Sequence, residues 1–212
     1  MSFLQTLRLV YFDYRRYRAT GGDNEGSLLG VLLLTQGFWA STVYRFSHFI
    51  TCIHPSFLRR ILRVLFFFIE KWIEIITGIR IPGECMIGKG LYIGHFGPII
   101  VHSQAKIGDF CNLSQGVTIG VLQRGERTGV PVIGNRVYIG PNAIVIGGIN
   151  IGNDTAIGAG AIVTKSAADR TVLAGNPARV LSQEGSFEFI HYDGMTQDLE
   201  RIASVALREV SV

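Results

Sequence analysis

The feature that most constrains this 212-residue chain is a branched aliphatic residue followed by glycine, which returns every six residues over positions 81–163. A six-residue period matches neither the alternation of one strand nor one face of an α-helix. It is typical of a parallel β-helix, in which each unit supplies a short strand and a corner. The pairs on this period are Ile87-Gly88, Ile93-Gly94, Ile107-Gly108, Ile119-Gly120, Ile133-Gly134, Ile139-Gly140, Ile151-Gly152 and Ile157-Gly158. We expect the aliphatic side chains to point inward and the glycines to let the chain bend.

A smaller side chain stands two residues before many of these aliphatic residues, which suits an inner corner close to the axis of the coil. These positions are Ala105, Cys111, Val117, Ala143, Thr155 and Ala161. The register of the repeat shifts twice, first just after His95 and again at a loop over residues 121–132. A shift interrupts strand pairing, so we expect the chain to leave the coil at these two places for a functional reason.

Charge and cysteine content narrow the classes of function. Residues 1–80 hold ten Lys and Arg against five Asp and Glu, whereas residues 81–212 hold ten against eleven. No nucleic-acid-binding motif accompanies the basic residues, so we expect no nucleic acid partner. The 3 cysteines lack metal-ligand spacing and the histidines are scattered, which predicts reduced thiols and no metal site. Together with the absence of a secretory signal pattern, this predicts a cytoplasmic protein.

Two apolar segments near the N-terminus predict helices. Residues 27–44 carry no charged side chain, but polar residues dilute the run, which favours a buried helix pair over a membrane span. Residues 57–76 include six charged residues and predict an amphipathic helix against an N-terminal bundle. Peripheral contact of this helix with the inner face of the membrane stays open as an alternative. The aromatic residues that would make this contact are Phe66, Phe67, Phe68 and Trp72.

The sequence predicts a mainly β fold with α-helical parts. We expect an N-terminal helical domain over residues 1–80, a parallel β-helix over 81–181, and a C-terminal tail with a short helix over 182–212. A three-sided coil leaves flat faces, so we expect an oligomer, with the terminal helices sealing the open ends of the coil.

The six-residue repeat, His95 and the ending Gly175-Asn-Pro-Ala-Arg179 together resemble the serine acetyltransferase branch of the hexapeptide acyltransferases. The resemblance covers residues 81–181, and a weaker match extends over residues 37–48. It implies a left-handed parallel β-helix that forms a homotrimer or a dimer of trimers. It also implies an O-acetyltransferase that moves acetyl directly from acetyl-CoA to a hydroxyl.

His95 is the candidate general base, because an alcohol attacks a thioester poorly at neutral pH unless a base takes its proton. It falls where the resembled family has its catalytic histidine, and no acyl-enzyme pattern competes with it. The family also has an aspartate fifteen residues earlier, but Arg80 stands there and cannot accept an imidazole N–H. Glu84 is the candidate replacement. Two alternatives stay open. A backbone carbonyl could hold the imidazole tautomer, or Glu84 could be an exposed corner residue without a catalytic role.

The loop over residues 121–132 matches the active-site loop of the family in length but not in chemistry. Gly129 and Val130 replace an Arg-His pair that serves the carboxylate of the amino acid in the family. We therefore expect the acceptor to be a hydroxyl of a surface-polysaccharide sugar or its precursor, held by Arg124 and Arg127. Two alternatives stay open: a serine O-acetyltransferase of cysteine biosynthesis that binds its amino acid differently, and a non-catalytic β-helix scaffold.

The resemblance also implies contacts for both substrates. Asp23 lies within one residue of a substrate-binding aspartate of the family and is a candidate contact for the acceptor. Acetyl-CoA is expected in a groove lined by small residues, with two cations near its phosphates. The groove positions are Gly120, Pro141, Ala159 and Gly160, and the cations are Lys165 and Arg179.

Overall fold

The computed structural model describes residues 1–20 and 28–209. The helices in this part of the chain are α1 (Phe3–Thr20), α2 (Leu28–Leu34), α3 (Gln36–Thr51), α4 (Ser56–Thr77) and α5 (Leu199–Glu209), with a 3₁₀ turn at Met195–Gln197. The helix pair predicted within residues 27–44 corresponds to α2 and α3. None of the described helices combines the length and the apolar content needed to cross a membrane.

Fifteen short strands follow the first four helices and form a three-sided coil. In chain order they are β1 (Ile79–Arg80), β2 (Met86–Ile87), β3 (Tyr92–Ile93), β4 (Ile99–Val101), β5 (Lys106–Ile107), β6 (Asn112–Leu113), β7 (Thr118–Gly120), β8 (Val132–Ile133), β9 (Tyr138–Ile139), β10 (Ile144–Ile146), β11 (Asn150–Ile151), β12 (Ala156–Ile157), β13 (Ile162–Val163), β14 (Val172–Ala174) and β15 (Arg179–Ser182). The first strand starts two residues after α4 ends, next to the domain boundary predicted at residue 80.

Up to β13, every third strand stacks in parallel on the same side of the coil, and β14 then stacks on β12. Face 1 contains β1, β4, β7, β10 and β13; face 2 contains β2, β5, β8 and β11; face 3 contains β3, β6, β9, β12 and β14. The antiparallel strand β15 closes the exposed edge of β14. We call the bends between faces the 1–2, 2–3 and 3–1 corners, in the order in which the chain meets them.

The interior of the coil is built by the repeated aliphatic residues, as predicted. Ile93, Ile119 and Ile157, from three different levels of the coil, are fully buried. The smaller residues two positions earlier are also inaccessible: Ala105, Cys111, Val117, Ala143, Thr155 and Ala161. The repeat supplies most of the core of the coil. Burying one such isoleucine contributes about 1.5–3 kcal/mol to folding.

The N-terminal helices seal the first open end of the coil with polar side chains. Arg45 of α3 donates to the carbonyl of Ile87 (2.7 Å) and to both carboxylate oxygens of Asp13 in α1 (2.8 and 3.0 Å). Asp13 also accepts from the amide of Leu91 (2.9 Å), and the hydroxyl of Tyr44 accepts from the amide of Ile87 (3.1 Å). These contacts satisfy strand groups that have no further coil to pair with.

Helix α3 packs directly on β3 because residue 37 is glycine. A Cβ at Gly37 would overlap the carbonyl oxygen of Ile93. The hydroxyl of Tyr17 in α1 bonds the same strand, donating to the carbonyl of Ile93 (3.2 Å) and accepting from its amide (3.0 Å). The start of α3 is therefore held against the level of the coil that carries His95.

The C-terminal tail lies along face 3 instead of sealing the far end of the coil, which differs from the expectation. The ring of Phe189 stacks on Tyr138 (4.5 Å between centroids) and that of Tyr192 stacks on Phe110 (4.0 Å). These aromatic side chains point outward from the coil, and covering them removes apolar surface from water. The open edge at the far end is closed by β15 instead.

Candidate active site

His95 lies in the 3–1 corner between β3 and β4, and its side chain is exposed. Two backbone hydrogen bonds fix this corner on the end of α4: the amide of Gly97 donates to Thr77 (2.8 Å) and the amide of Ile99 donates to Gly78 (3.1 Å). The interruption of the repeat after His95 therefore presents the imidazole outside the coil.

A pocket of about 420 Å³ opens beside His95, between the 3–1 corner and the helical part. Thr35 and Gln36 from the start of α3 and Tyr92 from β3 bring polar groups to this pocket, and the exposed ring of Phe96 lies at its edge. Thr35 and Gln36 were not among the predicted site residues. Their only signal was that they directly precede the weak match that begins at residue 37.

Four of the six residues predicted to bind acetyl-CoA lie along the 3–1 corner, in the levels beyond His95. Ala159 and Gly160 are exposed, and the amide of Gly160 donates to the carbonyl of Pro141 (2.8 Å). No atom lies within 4 Å of the place where a Cβ on Gly160 would stand, so this corner is open. Arg179 begins β15 beside the same corner, and its guanidinium forms no ion pair within the described residues.

The other two predicted acetyl-CoA residues lie at the opposite edge of face 1. The carbonyl of Gly120 accepts from the amide of Gly147 (3.3 Å) at the 1–2 corner, and the exposed Lys165 follows β13 at the same corner. A single chain therefore divides the predicted set between two corners. The six-residue period does not distinguish them, because every corner repeats with the same spacing.

The loop over residues 121–132 also belongs to the 1–2 corner and folds back on its own coil. Leu122 and Gly129 exchange two backbone hydrogen bonds of 2.9 Å each. Gly129 has a φ of +137°, and a Cβ there would stand 3.1 Å from the Cα of Gly148. Val130 packs against the core of the coil. Glycine and valine thus serve the packing of this loop at the two positions where the resembled family has Arg-His.

The predicted acceptor contacts are not brought to His95 within one chain. Arg124 and Arg127 are exposed in the loop at the 1–2 corner, and face 1 separates them from the 3–1 corner. Neither side chain forms an ion pair or hydrogen bond with the described residues. Asp23 lies outside the described residues.

The predicted partner of His95 is also elsewhere. Glu84 lies at the 1–2 corner, pairs with Arg63 of α4 and lines a different pocket, of about 440 Å³, which His95 does not line. Within one chain the structure therefore does not bring Glu84 to His95. The reason is geometric: four residues after Arg80 the chain has already turned toward face 2.

Gln115 is an acceptor in the neighbouring level that sequence analysis missed. It occupies the 3–1 corner next to that of His95, with its Cβ 3.3 Å from the place where a Cβ on Gly97 would stand. Its side-chain oxygen is buried and accepts no hydrogen bond from the described residues. A buried carbonyl oxygen without a donor is costly, which makes this group a candidate to receive one from a neighbouring side chain.

The cysteines have no part in this site. All three are free, and burial raises the pKa of the Cys85 and Cys111 thiols to about 12. Among residues 1–20 and 28–209, no group of three or more His, Cys, Asp and Glu could hold a metal ion.

Comparison with known proteins decides the family. Residues 131–165 match the family model "Bacterial transferase hexapeptide (six repeats)". The serine acetyltransferase of Helicobacter pylori strain 26695 is 33% identical over 154 residues, which cover 73% of this chain and 86% of that protein. The chain belongs to the serine acetyltransferase family.

Further comparisons agree with this assignment. The serine acetyltransferase of Synechococcus elongatus is 31% identical over 157 residues, covering 74% of this chain but only 62% of that longer enzyme. A serine acetyltransferase solved in complex with CoA superposes with a TM-score of 0.71 at 25% identity, covering 84% of this chain and 71% of the other. The predicted left-handed β-helix, the predicted family and the predicted enzyme class, an O-acetyltransferase, are confirmed.

The predicted polysaccharide acceptor is wrong. The similar proteins are consistently serine acetyltransferases, which was the alternative. The residues at positions 129 and 130, Gly129 and Val130, do not exclude a carboxylate, because a carboxylate can also be held from other positions of the loop. In this member of the serine acetyltransferase family those positions serve the packing of the loop, and cations remain free two and five residues earlier.

Proposed function

We propose that this chain transfers the acetyl group of acetyl-CoA to the hydroxyl of serine. The observation that carries the proposal is the exposed His95 at the 3–1 corner, beside a pocket with polar groups from α3 and β3. The names of the similar proteins and the CoA complex of one of them support the two substrates.

His95 acts as general base and then as general acid. It takes the proton of the serine hydroxyl while that oxygen attacks the carbonyl carbon of the thioester. As the carbon–sulfur bond breaks, the imidazolium returns the proton to the departing thiolate of CoA. General base catalysis of this kind contributes about 10²–10⁴-fold in rate. No covalent bond to the protein forms at any stage.

Gln115 positions His95 in this proposal, in place of the aspartate that is absent at Arg80. Its side-chain oxygen is buried and has no donor among the described residues, and its Cβ lies beside the His95 loop at Gly97. A carbonyl oxygen can accept an imidazole N–H and so select the tautomer whose other nitrogen faces the substrate.

A second copy of the chain completes the acceptor site. Face 3 is covered by the tail, whereas face 1 leaves Ile100 51% exposed and Ile144, Ile146 and Ile162 partly exposed. Packing of this face against a neighbour in a homotrimer buries these side chains. It also brings the 1–2 corner of one copy to the 3–1 corner of the next, so that Arg124 and Arg127 of one copy bind the serine carboxylate beside His95 of the other.

The same trimer arrangement brings residues predicted to bind acetyl-CoA from both corners to one site. Pro141, Ala159 and Gly160 line the pantetheine groove along the 3–1 corner, and Arg179 pairs with phosphate. Lys165 joins them from the 1–2 corner of the neighbouring copy. We retain the prediction of a cytoplasmic enzyme as part of this proposal, and the absence of disulfides among the three cysteines supports it.

The test is release of CoA thiol from acetyl-CoA in the presence of serine, with the wild-type chain and His95→Ala. We expect His95→Ala to lose at least ~10²-fold in kcat while still binding acetyl-CoA. His54→Ala, at an exposed histidine between α3 and α4, is the matched control and should keep wild-type turnover. Arg124→Ala with Arg127→Ala should raise KM for serine and leave kcat nearly unchanged.

The outcomes separate the hypotheses. Acetyl-CoA binding without thiol release in the presence of serine would refute serine as the acceptor. Failure to bind acetyl-CoA at all would favour the non-catalytic scaffold. Equal turnover in His95→Ala would remove His95 from the mechanism.

A further inference from the structure

Helix α4 carries a continuous apolar stripe on its outer side. The side chains that form it recur at intervals of three and four residues, so they share one face of the helix. They are Phe57, Ile61, Val64, Leu65, Phe68, Trp72 and Ile75, each between 53% and 75% exposed. With a rise of about 1.5 Å per residue the stripe runs for nearly the whole length of the helix, roughly 30 Å. A patch of this extent marks a contact surface on a folded protein.

A different side of the same helix holds it to the rest of the chain. Ile73 packs against the core of the coil, and Ser47 of α3 donates a hydrogen bond to Glu70. The stripe is therefore not the side that anchors α4, and the tertiary structure leaves it uncovered.

One border of the stripe is basic. A groove of about 500 Å³ near the start of α4 is lined by Arg59, Arg60 and Arg63 together with stripe residues Val64 and Phe68, and no acidic side chain lines it. Arg63 pairs with Glu84, whereas the guanidinium groups of Arg59 and Arg60 form no ion pair or hydrogen bond in the described part of the chain.

We propose that α4 docks in the plane of an anionic lipid bilayer, with the stripe in the boundary between head groups and acyl chains and the arginines on lipid phosphates. An amphipathic helix with aromatic residues on its apolar face and basic residues beside it binds such surfaces. A second copy of this chain would cover the stripe but would bring further unpaired arginines and no matching excess of acidic groups, since residues 1–80 hold ten basic against five acidic residues. The charge therefore favours the lipid surface. This inference does not depend on the acetyl-transfer proposal.

Trp72 on the stripe provides a direct probe. The chain has 2 tryptophans, so Trp39→Phe leaves Trp72 as the only one. With this variant we expect a blue shift of emission, and flotation of the protein, on addition of vesicles of phosphatidylglycerol and phosphatidylcholine in equal parts. Vesicles of phosphatidylcholine alone should give a much smaller effect, and high salt should weaken binding to the anionic vesicles.

Matched variants test the two parts of the surface. Phe68→Ser should lower partitioning into the anionic vesicles at least ~10-fold, because it places a polar group at the centre of the stripe. Arg59→Gln with Arg60→Gln should lower partitioning and flatten its salt dependence. Leu199→Ser, at an apolar residue that is 80% exposed on α5, is the control and should partition like the wild type. Circular dichroism checks that each variant is folded.

Two results would overturn the proposal. One is no partitioning of the wild-type chain into anionic vesicles. The other is an oligomer, detected by light scattering without lipid, that Phe68→Ser converts to a smaller one. The stripe would then be an interface between copies of the chain. Thiol release from acetyl-CoA by the same variants should be unchanged, so failure of this proposal is distinguishable from failure of the acetyl-transfer proposal.

Discussion

Replacing Asp13 by alanine should destabilise the chain far more than the loss of an ordinary surface charge. Asp13 and Arg45 are each 1% exposed and are joined by two hydrogen bonds, of 2.8 and 3.0 Å. Without the carboxylate, the guanidinium stays buried with an uncompensated charge, and the amide of Leu91 loses its acceptor. Removing one partner of a buried ion pair costs about 3–5 kcal/mol of folding free energy. This range includes the cost of leaving the amide of Leu91 without an acceptor.

The assay is thermal unfolding followed by circular dichroism at one fixed protein concentration. For a chain of this size 1 kcal/mol corresponds to about 2–4 °C, so Asp13→Ala should lower the unfolding midpoint by about 6–20 °C. The control is Asp193→Ala, which removes the exposed ion pair with Arg15 and should cost under ~1 kcal/mol. Asp13→Ala with Arg45→Met should be less damaging than Asp13→Ala alone, because it removes the buried charge as well. Equal midpoints for Asp13→Ala and Asp193→Ala would refute the sealing role of this pair.

Two further predictions concern close packing. In Gly37→Ala the new methyl group overlaps the carbonyl oxygen of Ile93, so α3 must move away from the coil. The unfolding midpoint should fall by the equivalent of about 1–3 kcal/mol, and KM for serine should rise. Wild-type values of both quantities would contradict this contact. In the folded chain only Cys52 should react quickly with a thiol reagent at pH 8, because burial raises the pKa of the Cys85 and Cys111 thiols to about 12 and so removes their reactive thiolate. Cys52→Ala should abolish the fast phase. Fast reaction of more than one thiol per folded chain would contradict this prediction.

The local period was sufficient to predict the coil and its interior. Each repeat carries its own strand, its inward aliphatic residue and its bend, so the positions of Ile93 and Ile119 follow from spacing alone. The exposure of His95 was also predictable, because an interruption of the repeat is visible in the sequence. The helices over residues 56–77 and 36–51 agree with their apolar patterns for the same reason: the pattern repeats within the element itself.

The candidate site was only partly predictable. Thr35 and Gln36 line one pocket with His95 across nearly sixty residues of chain, and no local pattern predicts that proximity. Glu84 was expected beside His95 from its distance along the chain, but the coil turns a corner before it. The prediction of a sugar acceptor was wrong because it rested on the missing Arg-His pair at positions 129 and 130. The positions of the remaining cations, Arg124 and Arg127, could not be predicted from the sequence.

The sequence by itself therefore determined the coil, its core, its family and the exposure of His95, because all of these follow from short-range spacing. Only the tertiary structure decided how the ends of the coil are satisfied, which corner each predicted residue occupies, and that the stripe on α4 faces outward. These depend on contacts between segments far apart in the chain, such as Arg45 with Ile87 and Phe189 with Tyr138. Pairings of that kind are selected by shape, burial and hydrogen bonding in three dimensions, and a six-residue period contains no information about them.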